Sequence, residues 1–155
     1  MRRAQFAGSA TATLCVLNNR ELTALNLGDS GFILFRFDSE TNEPYILIKS
    51  KEQQHKFNSP YQLTKLPTQA EVDQLKRQNK TKELQNLQRA LKERTFFQDK
   101  PEDSDIYQMR VREGDLLLLG TDGVFDNLFE DEILTIVSNL SRNREKTVAA
   151  AHNLS

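Results

Sequence analysis

The sequence predicts an α+β fold with mostly antiparallel strands. Short β-like runs follow one another through the first fifty residues, whereas the helix-like segments come later and do not alternate with the strands one by one. The links between the early runs are too short for a crossover helix, so an antiparallel meander is favoured over parallel βαβ units. A length of 155 residues fits one domain or a piece of a somewhat larger one.

The predicted strands are apolar, β-branched and aromatic runs that are bounded by turn residues. The stretch 116–119 is apolar at every position, which predicts a central strand that is covered on both faces. The complete set of predicted strands comprises residues 11–17, 22–27, 32–37, 45–49, 106–111 and 115–121.

Two regions have the apolar periodicity of helices. Residues 69–94 are rich in Gln, Lys, Glu and Leu, with apolar residues three and four positions apart. They predict one helix, or two helices separated near residues 79–81. The acidic turn 130–132 opens the second helical region, and a further segment is predicted after Arg144.

Composition excludes several classes of protein. The 21 Lys and Arg residues against 22 Asp and Glu residues give a net charge of −1, which argues against a general nucleic-acid binder. No window approaches the roughly 18 consecutive apolar residues of a membrane span, and residues 1–10 lack the apolar core of a secretory signal. The single Cys15 cannot form an internal disulfide, which favours a reducing compartment, and its apolar neighbours predict a small core residue.

Charge is unevenly distributed along the chain. Residues 101–132 carry 10 acidic and 2 basic side chains, whereas residues 71–100 carry 8 basic and 5 acidic ones. The acidic stretch is either a solvated face or a place where carboxylates converge on a cation.

Two loops of similar design carry the candidate chemistry. The first follows the apolar run 22–27 with Gly28-Asp29-Ser30-Gly31, and the second follows 116–119 with Gly120-Thr121-Asp122-Gly123. Each loop alone reads equally as an ordinary turn, because aspartate and glycine are common turn residues. If the two strands are neighbours, however, Asp29 and Asp122 face one cleft, and their repulsion favours a divalent cation such as Mg²⁺ or Mn²⁺ between them.

Four segments in order resemble the landmarks of the metal-dependent protein serine/threonine phosphatases of type 2C. They are residues 8–12, 26–31, 114–119 and 121–127. Residues 52–63 are similar to the branch of this family that includes mitochondrial and T-cell-activation phosphatases. His55 lies in that segment and is interpreted as a hydrogen-bonded structural histidine rather than a catalytic acid.

The resemblance implies the fold and the reaction. The fold would be the central portion of a β-sandwich flanked by helices, with α-β-β-α layers in the complete family domain. Residues 1–155 would form a single partial domain, with a helical insertion at about 69–94. The implied reaction is hydrolysis of phosphoserine and phosphothreonine on proteins by a metal-activated water, with Mn²⁺ or Mg²⁺ as cofactor.

The resemblance also assigns roles to the residues of the two loops. Asp122 would be a direct ligand of the catalytic metal pair, and Asp29 would belong to an additional, weaker metal site. Asp126 would support the metal ligands from the same loop as Asp122. Gly123 and Thr121 would shape that loop without binding metal.

Alternatives remain open at this stage. The first and last metal-binding aspartates of the family are expected to lie outside the 155 residues, so the alternative to an enzyme is a non-catalytic, truncated phosphatase-fold module that acts as a structural or regulatory subunit. The segment 69–94 is either a solvated insertion or a docking surface for an acidic phosphoprotein or another protein partner. The expected location is intracellular, with the mitochondrion implied by the family branch and the cytoplasm as the alternative.

Overall fold

The computed structural model describes residues 8–92 and 97–152. A 3₁₀ turn, Pro101–Asp103, precedes the strand that begins at Asp105. The strands are β1 (Gly8–Ala10), β2 (Ala12–Asn18), β3 (Glu21–Leu27), β4 (Gly31–Phe37), β5 (Pro44–Lys49), β6 (Gln54–Lys56), β7 (Ser59–Pro60), β8 (Leu63–Lys65), β9 (Asp105–Arg110) and β10 (Leu116–Gly120). The helices are α1 (Gln69–Arg77), α2 (Thr81–Lys92), α3 (Asp122–Phe125) and α4 (Glu130–His152).

Two three-stranded sheets form the body of the molecule. One sheet has the order β10–β4–β5 and the other has the order β2–β3–β9. Strand β1 pairs with β8, and β6 pairs with β7, as two smaller units. All of these pairings are antiparallel, which confirms the predicted α+β class with mostly antiparallel strands.

Strand β4 lies at the centre of the packing because both of its faces are buried. Ile33 and Phe35 contact Ile133 and Val137 of α4 in one apolar cluster. On the opposite face, the ring of Phe32 meets Tyr107 of β9 edge to face, with 5.1 Å between ring centroids. The layers are therefore helix, sheet and sheet, and the buried apolar residues of β4 stabilise both junctions.

The outer face of the sheet β2–β3–β9 is exposed in the described part of the chain. Leu14, Val16 and Ile106 on this face are 58%, 52% and 66% accessible. The described residues thus supply three of the four layers that the family resemblance implies.

The prediction of a central strand at 116–119 is wrong for the described residues. Strand β10 pairs with β4 alone and lies at the edge of its sheet. Leu116 and Leu118 pack against the cluster beside α4, but Leu119 is 47% exposed. An apolar run can form either an edge strand or a central strand, because the sequence of a strand does not show whether a second strand pairs on its other side.

The helical predictions hold with one correction. Residues 69–92 form two helices, and the backbone at Asn79 between them has a φ of 52°. Residues 93 and 94 lie outside the described residues. The predicted break near Arg144 is wrong, since α4 runs without interruption to His152 and contains no glycine or proline that would end it earlier.

The short elements β1, β6, β7, β8 and α3 were not predicted, because pieces of two to four residues have no measurable periodicity. Cys15 is half-buried on β2 rather than in the core. Partial burial raises the pKa of its thiol.

Candidate metal centre

Strand pairing brings the two aspartate loops to the same edge of the molecule. Strands β4 and β10 are neighbours, and Gly31 pairs with Gly120 at the end of their ladder. Asp29 lies two residues before Gly31, and Asp122 lies two residues after Gly120. The loop before β4 and the loop after β10 therefore lie side by side.

The glycines at this edge allow close packing of the backbone. A Cβ atom at Gly31 would lie 2.4 Å from the Ser50 Oγ. That hydroxyl already accepts a hydrogen bond from the Phe32 N–H at 2.9 Å. At Gly120, a Cβ atom would lie 3.0 Å from the Val124 Cβ. The fold therefore leaves no room for a side chain at Gly31 unless Ser50 moves.

Asn26 fixes the backbone that leads to Asp29. Its side chain is completely buried, and its Oδ1 accepts a hydrogen bond from the Thr13 hydroxyl at 2.6 Å. Its Nδ2 donates to the carbonyl oxygens of Gly28 and Lys51. One buried amide thus ties β2, the loop before β4 and the segment after β5 together, and each of its partners would lose a hydrogen bond without it.

The loop has further fixed points on both sides of Asp29. The Gly28 N–H donates to Oε1 of Gln53, and the Gln53 N–H donates to the Gly28 carbonyl at 3.0 Å. The hydroxyls of Thr11 and Ser30 are 2.6 Å apart and share a hydrogen bond. Asp29 is therefore held by its neighbours on a rigid support, as a metal-binding or catalytic carboxylate requires.

Asp122 is the first residue of the short helix α3. Its Oδ1 accepts a hydrogen bond from the Gly123 N–H at 2.8 Å, and its backbone carbonyl accepts from the Asp126 N–H at 2.7 Å. The Asn127 side chain donates to the Gly123 carbonyl. Thr121 stands at the helix N-terminus without a side-chain hydrogen bond to the helix. Asp122 and Asp126 are exposed to solvent.

The three carboxylates influence one another electrostatically. The pKa of Asp29 is raised, first because partial burial disfavours its charged form and then because Asp122 and Asp126 repel it. Hydrogen bonds from the backbone at Asp29 and Ser30 oppose this shift. The two loops thus concentrate negative charge at one open place, and a cation there would relieve the repulsion.

The carboxylates of the two loops supply some, but not all, of the ligands that a hard divalent cation needs. Carboxylate oxygens with water are the ligands that Mg²⁺ and Mn²⁺ prefer, and Mg²⁺ usually keeps several waters and takes only one or two protein carboxylates. Among residues 8–92 and 97–152, no three His, Cys, Asp or Glu side chains are arranged to hold a metal ion together. The described residues therefore offer part of a ligand set rather than a closed cage.

The sequence singled out the loops but not the residues that support them. Asn26, Ser50 and Gln53 position Asp29, yet only Asn26 carries a signal in the sequence, as a polar residue inside the apolar run 22–27. Ser50 and Gln53 are more than twenty residues away along the chain. Their role follows from the tertiary structure alone.

The hydrogen bonds of His55 go to Asp99 rather than to either aspartate loop. Its Nε2 is 2.9 and 3.0 Å from the two carboxylate oxygens of Asp99, whose Oδ2 also accepts from the Gln62 N–H. Its ring is stacked between Tyr61 and Phe97, with centroid distances of 4.0 and 3.7 Å. The histidine is hydrogen-bonded, as expected for a structural residue.

Proteins similar in sequence to this chain are named as protein phosphatases. The chain is 36% identical over 151 residues to a protein from Drosophila willistoni named "Protein phosphatase PTC7 homolog fig", a match that covers 96% of this chain and 39% of the relative. It is 33% identical over 135 residues to "Probable protein phosphatase 2C 55" from Arabidopsis thaliana, covering 87% of this chain and 21% of that protein. No family model matches the chain.

A solved structure shows the same fold. The photosystem II phosphatase PBCP superposes on this chain with a TM-score of 0.58 at 23% identity, covering 85% of this chain and 39% of that one. The antiparallel sandwich thus agrees with the class of protein that the sequence matches name, the protein phosphatases. Over nearly its whole length, the chain is therefore similar to protein phosphatases, and one of these relatives is named as type 2C. It spans about two fifths of the length of the fruit-fly relatives that it matches.

Proposed function

We propose that this chain supplies the central part of a catalytic domain that hydrolyses phosphoserine and phosphothreonine on proteins with Mn²⁺ or Mg²⁺. The observation that supports the proposal is the placement of Asp29, Asp122 and Asp126 at one open edge, in a chain that is similar to protein phosphatases. No helix within the described residues is long and apolar enough to cross a membrane.

The proposed roles follow the chemistry of the two loops. Asp122 and Asp29 would hold metal ions, and Asp126, Gly123 and Thr121 would support the loop around Asp122. A bound divalent ion lowers the pKa of its water and offsets the charge of the phosphoryl group. The protein's own contribution is to fix the carboxylates in the loops beside two paired strands and to leave them open to a phosphorylated side chain.

A phosphatase assay on the full-length protein encoded by the gene tests this proposal. We expect metal-dependent release of phosphate from a phosphoserine peptide, and its loss with EDTA. Asp122→Asn should lower the rate at least a hundredfold, whereas Asp131→Asn, which removes an exposed carboxylate on α4, should leave it unchanged. Full activity in Asp122→Asn would refute the role of this residue.

We further propose that the helical hairpin α1–α2 attracts acidic phosphoproteins. Four exposed basic residues lie on it and on the turn between the helices: Lys76, Arg77, Lys80 and Lys82. A capping box formed by Thr68 and Glu71 fixes the start of the hairpin. We also propose that the leucines of α2, namely Leu84, Leu87 and Leu91, dock a protein partner. Leu84 is half-buried, and the side chains of Leu87 and Leu91 lie outside the described part of the structure.

Removal of the positive charge separates docking from chemistry. Replacing the four basic residues with glutamine should lower turnover of a phosphoprotein several-fold and leave turnover of a small aryl phosphate unchanged, because only the protein substrate reaches the hairpin. Deletion of residues 69–92 should have the same selective effect. An equal loss on both substrates would exclude docking here.

A second candidate function is a non-catalytic module that acts as a structural or regulatory subunit. The observation that favours it is that no three metal-binding side chains are grouped among the described residues. It predicts no metal-dependent turnover by the full-length protein and a stable partner in the purified material. Subcellular fractionation, in turn, tests the proposed mitochondrial location against a cytoplasmic one.

A further inference from the structure

An arginine-lined cavity lies at the opposite end of β10 from the aspartate loops. Its volume is about 520 Å³, within the size range of small-molecule sites. Arg112 precedes β10 and Asp122 follows it, and five residues of strand separate their surroundings by about 16 Å. The cavity is therefore separate from the candidate metal centre. Its lining residues are Arg20, Arg36, Arg110, Val111, Arg112 and Glu113.

The backbone holds these arginines in fixed positions. The Val111 N–H donates to the Arg20 carbonyl at 2.9 Å, which joins the turn after β2 to the end of β9. The Arg112 N–H donates to Oδ2 of Asp115 at 2.8 Å, and the Asp115 N–H donates back to the Arg112 carbonyl. The cavity is thus bordered by two turns that are tied to the sheets.

Three of the guanidinium groups are available to a ligand. Arg36 is occupied, since it donates to both carboxylate oxygens of Asp115, at 2.9 and 2.7 Å. Arg20, Arg110 and Arg112 are exposed, and within residues 8–92 and 97–152 their side chains form no ion pair or hydrogen bond. Three carboxylates are near them: Glu113 lines the cavity, Glu21 is the strand partner of Arg110, and Asp115 accepts a hydrogen bond from the Arg112 N–H. The lining still carries more positive than negative charge.

A larger cleft, whose lining combines apolar side chains with polar ones such as Asp38, Ser39 and Asp115, borders the arginine cavity. It has a volume of about 1150 Å³ and shares Arg36, Arg112 and Glu113 with the smaller cavity. Its apolar lining consists of Phe37, Leu116, Leu117 and Leu140, the last of which is 57% exposed on α4. A single ligand can therefore contact arginines at one end and apolar side chains at the other.

We propose that these two cavities bind a small amphipathic anion, with a phosphate head group on the arginines and an apolar tail in the cleft. Guanidinium groups form charge-assisted, often bidentate hydrogen bonds to phosphate oxygens, and several arginines together suit a doubly charged head group better than a carboxylate. Contact with an apolar tail removes the surface of the leucines and Phe37 from water, which favours binding. The site is independent of the phosphatase reaction.

Binding of octylphosphonate to the metal-free chain tests the proposal, because a phosphonate mimics the head group and cannot be hydrolysed. Isothermal titration with EDTA present, supported by an amide NMR titration, should show saturable binding that shifts the resonances of Arg112 and Leu140. Methylphosphonate, which lacks the tail, should bind at least about tenfold more weakly.

Matched variants separate the head from the tail. Arg112→Gln should weaken octylphosphonate binding about tenfold, and Arg112→Lys should recover part of the loss. Lys56→Gln, which removes an exposed positive charge on β6 outside both cavities, should have no effect. Leu140→Ser should weaken binding of octylphosphonate but not of methylphosphonate. Thermal melting of each variant verifies that it is folded.

Three results would overturn the proposal. Equal affinity for the two phosphonates would exclude the apolar cleft as part of the site. Equal weakening by Lys56→Gln and Arg112→Gln would show that only the overall charge of the chain matters. Loss of binding in Asp122→Asn would place the ligand at the aspartate loops instead. Since no metal and no turnover are involved, none of these results bears on the phosphatase proposal.

Discussion

Substitution of Gly28 by alanine tests how tightly the loop before Asp29 is packed. The backbone at Gly28 has a φ of 98°, a conformation that side chains rarely adopt. A Cβ atom there would lie 2.5 Å from the Tyr61 carbonyl oxygen and 2.5 Å from Cγ2 of Thr11. The carbonyl belongs to the backbone and cannot rotate away as a side chain would.

Gly114 supplies a matched control. Its φ is 90°, close to that of Gly28, but a Cβ atom there would meet nothing within 4 Å. The left-handed conformation costs about 1–2 kcal/mol for a residue with a Cβ atom, and the reduced freedom of the unfolded chain returns about 0.4–1 kcal/mol. Gly114→Ala should therefore destabilise the chain by about 1 kcal/mol.

Gly28→Ala carries the same conformational cost and the steric cost in addition. Overpacking of a filled site typically costs about 1–3 kcal/mol, so the total should be about 3 kcal/mol. Far-UV circular dichroism during urea unfolding measures both losses, since the chain has no Trp to report by fluorescence. With a slope near 1.5 kcal/mol per molar urea, the midpoints should fall by about 2 M and about 0.7 M respectively.

A double variant identifies the source of the clash. Thr11→Ser removes the methyl group near Gly28 and keeps the hydroxyl that bonds to Ser30. Combined with Gly28→Ala, it should recover part of the loss and leave the part due to the Tyr61 carbonyl. If Gly28→Ala and Gly114→Ala differ by less than about 0.5 kcal/mol, the packing argument for this loop fails.

The remaining predictions concern charge and metal. Asp115→Asn should cost about 2–3 kcal/mol at pH 7, because the Asp115 side chain is 5% exposed and Arg36 loses its partner. Because Arg36 lowers the pKa of Asp115, the ion pair stabilises the fold at pH values above the unfolded pKa of about 3.9. This stabilisation is lost as the pH falls through the lower pKa of the folded state. Urea unfolding from pH 7 to 3 should therefore show a smaller loss of stability with acid in Asp115→Asn than in the parent chain, and an equal loss would contradict this account. Asp29→Asn should stabilise the metal-free chain by up to about 1 kcal/mol at pH 7, since the raised pKa of Asp29 reflects partial burial of its charged form and repulsion by Asp122 and Asp126 in the folded state. This gain should vanish below about pH 4, and a loss of stability would refute it. Mn²⁺ at a hundredfold excess over its dissociation constant should stabilise the parent chain by about 2.7 kcal/mol in thermal melts and Asp122→Asn far less, whereas equal stabilisation would place the ion elsewhere. Asn26→Ala should cost about 2–4 kcal/mol and weaken that Mn²⁺ effect as the loop loosens, with a stable, metal-responsive variant as the contrary result.

The sequence was informative where a feature is local. Hydrophobic periodicity located α1, α2, the start of α4 and the longer strands, and turn residues located the links between them. It failed for the three-residue strands, and it produced a break in α4 where no helix-ending residue stands. A strand of three residues is too short to show a hydrophobic period, and a long helix of changing polarity is easily divided into two.

The candidate metal centre likewise has features that the sequence shows and features that only the folded structure shows. The order of glycine and aspartate in the two loops, and the resemblance to type 2C phosphatases, came from the sequence alone. The support of Asp29 by Gln53 and Asn26 came from the structure, because those hydrogen bonds join segments that are distant along the chain. The roles of the individual aspartates as metal ligands stay predictions.

The residue types that end the strands, and the family that the chain resembles, can be recognised without any knowledge of the fold. Only the tertiary structure decided that Gly31 pairs with Gly120, that β10 lies at a sheet edge, and that Arg20, Arg110 and Arg112 surround one cavity. The physical reason is that strand register is set by hydrogen bonds and packing between segments about ninety residues apart, and the spacing of residues within each segment carries no record of it.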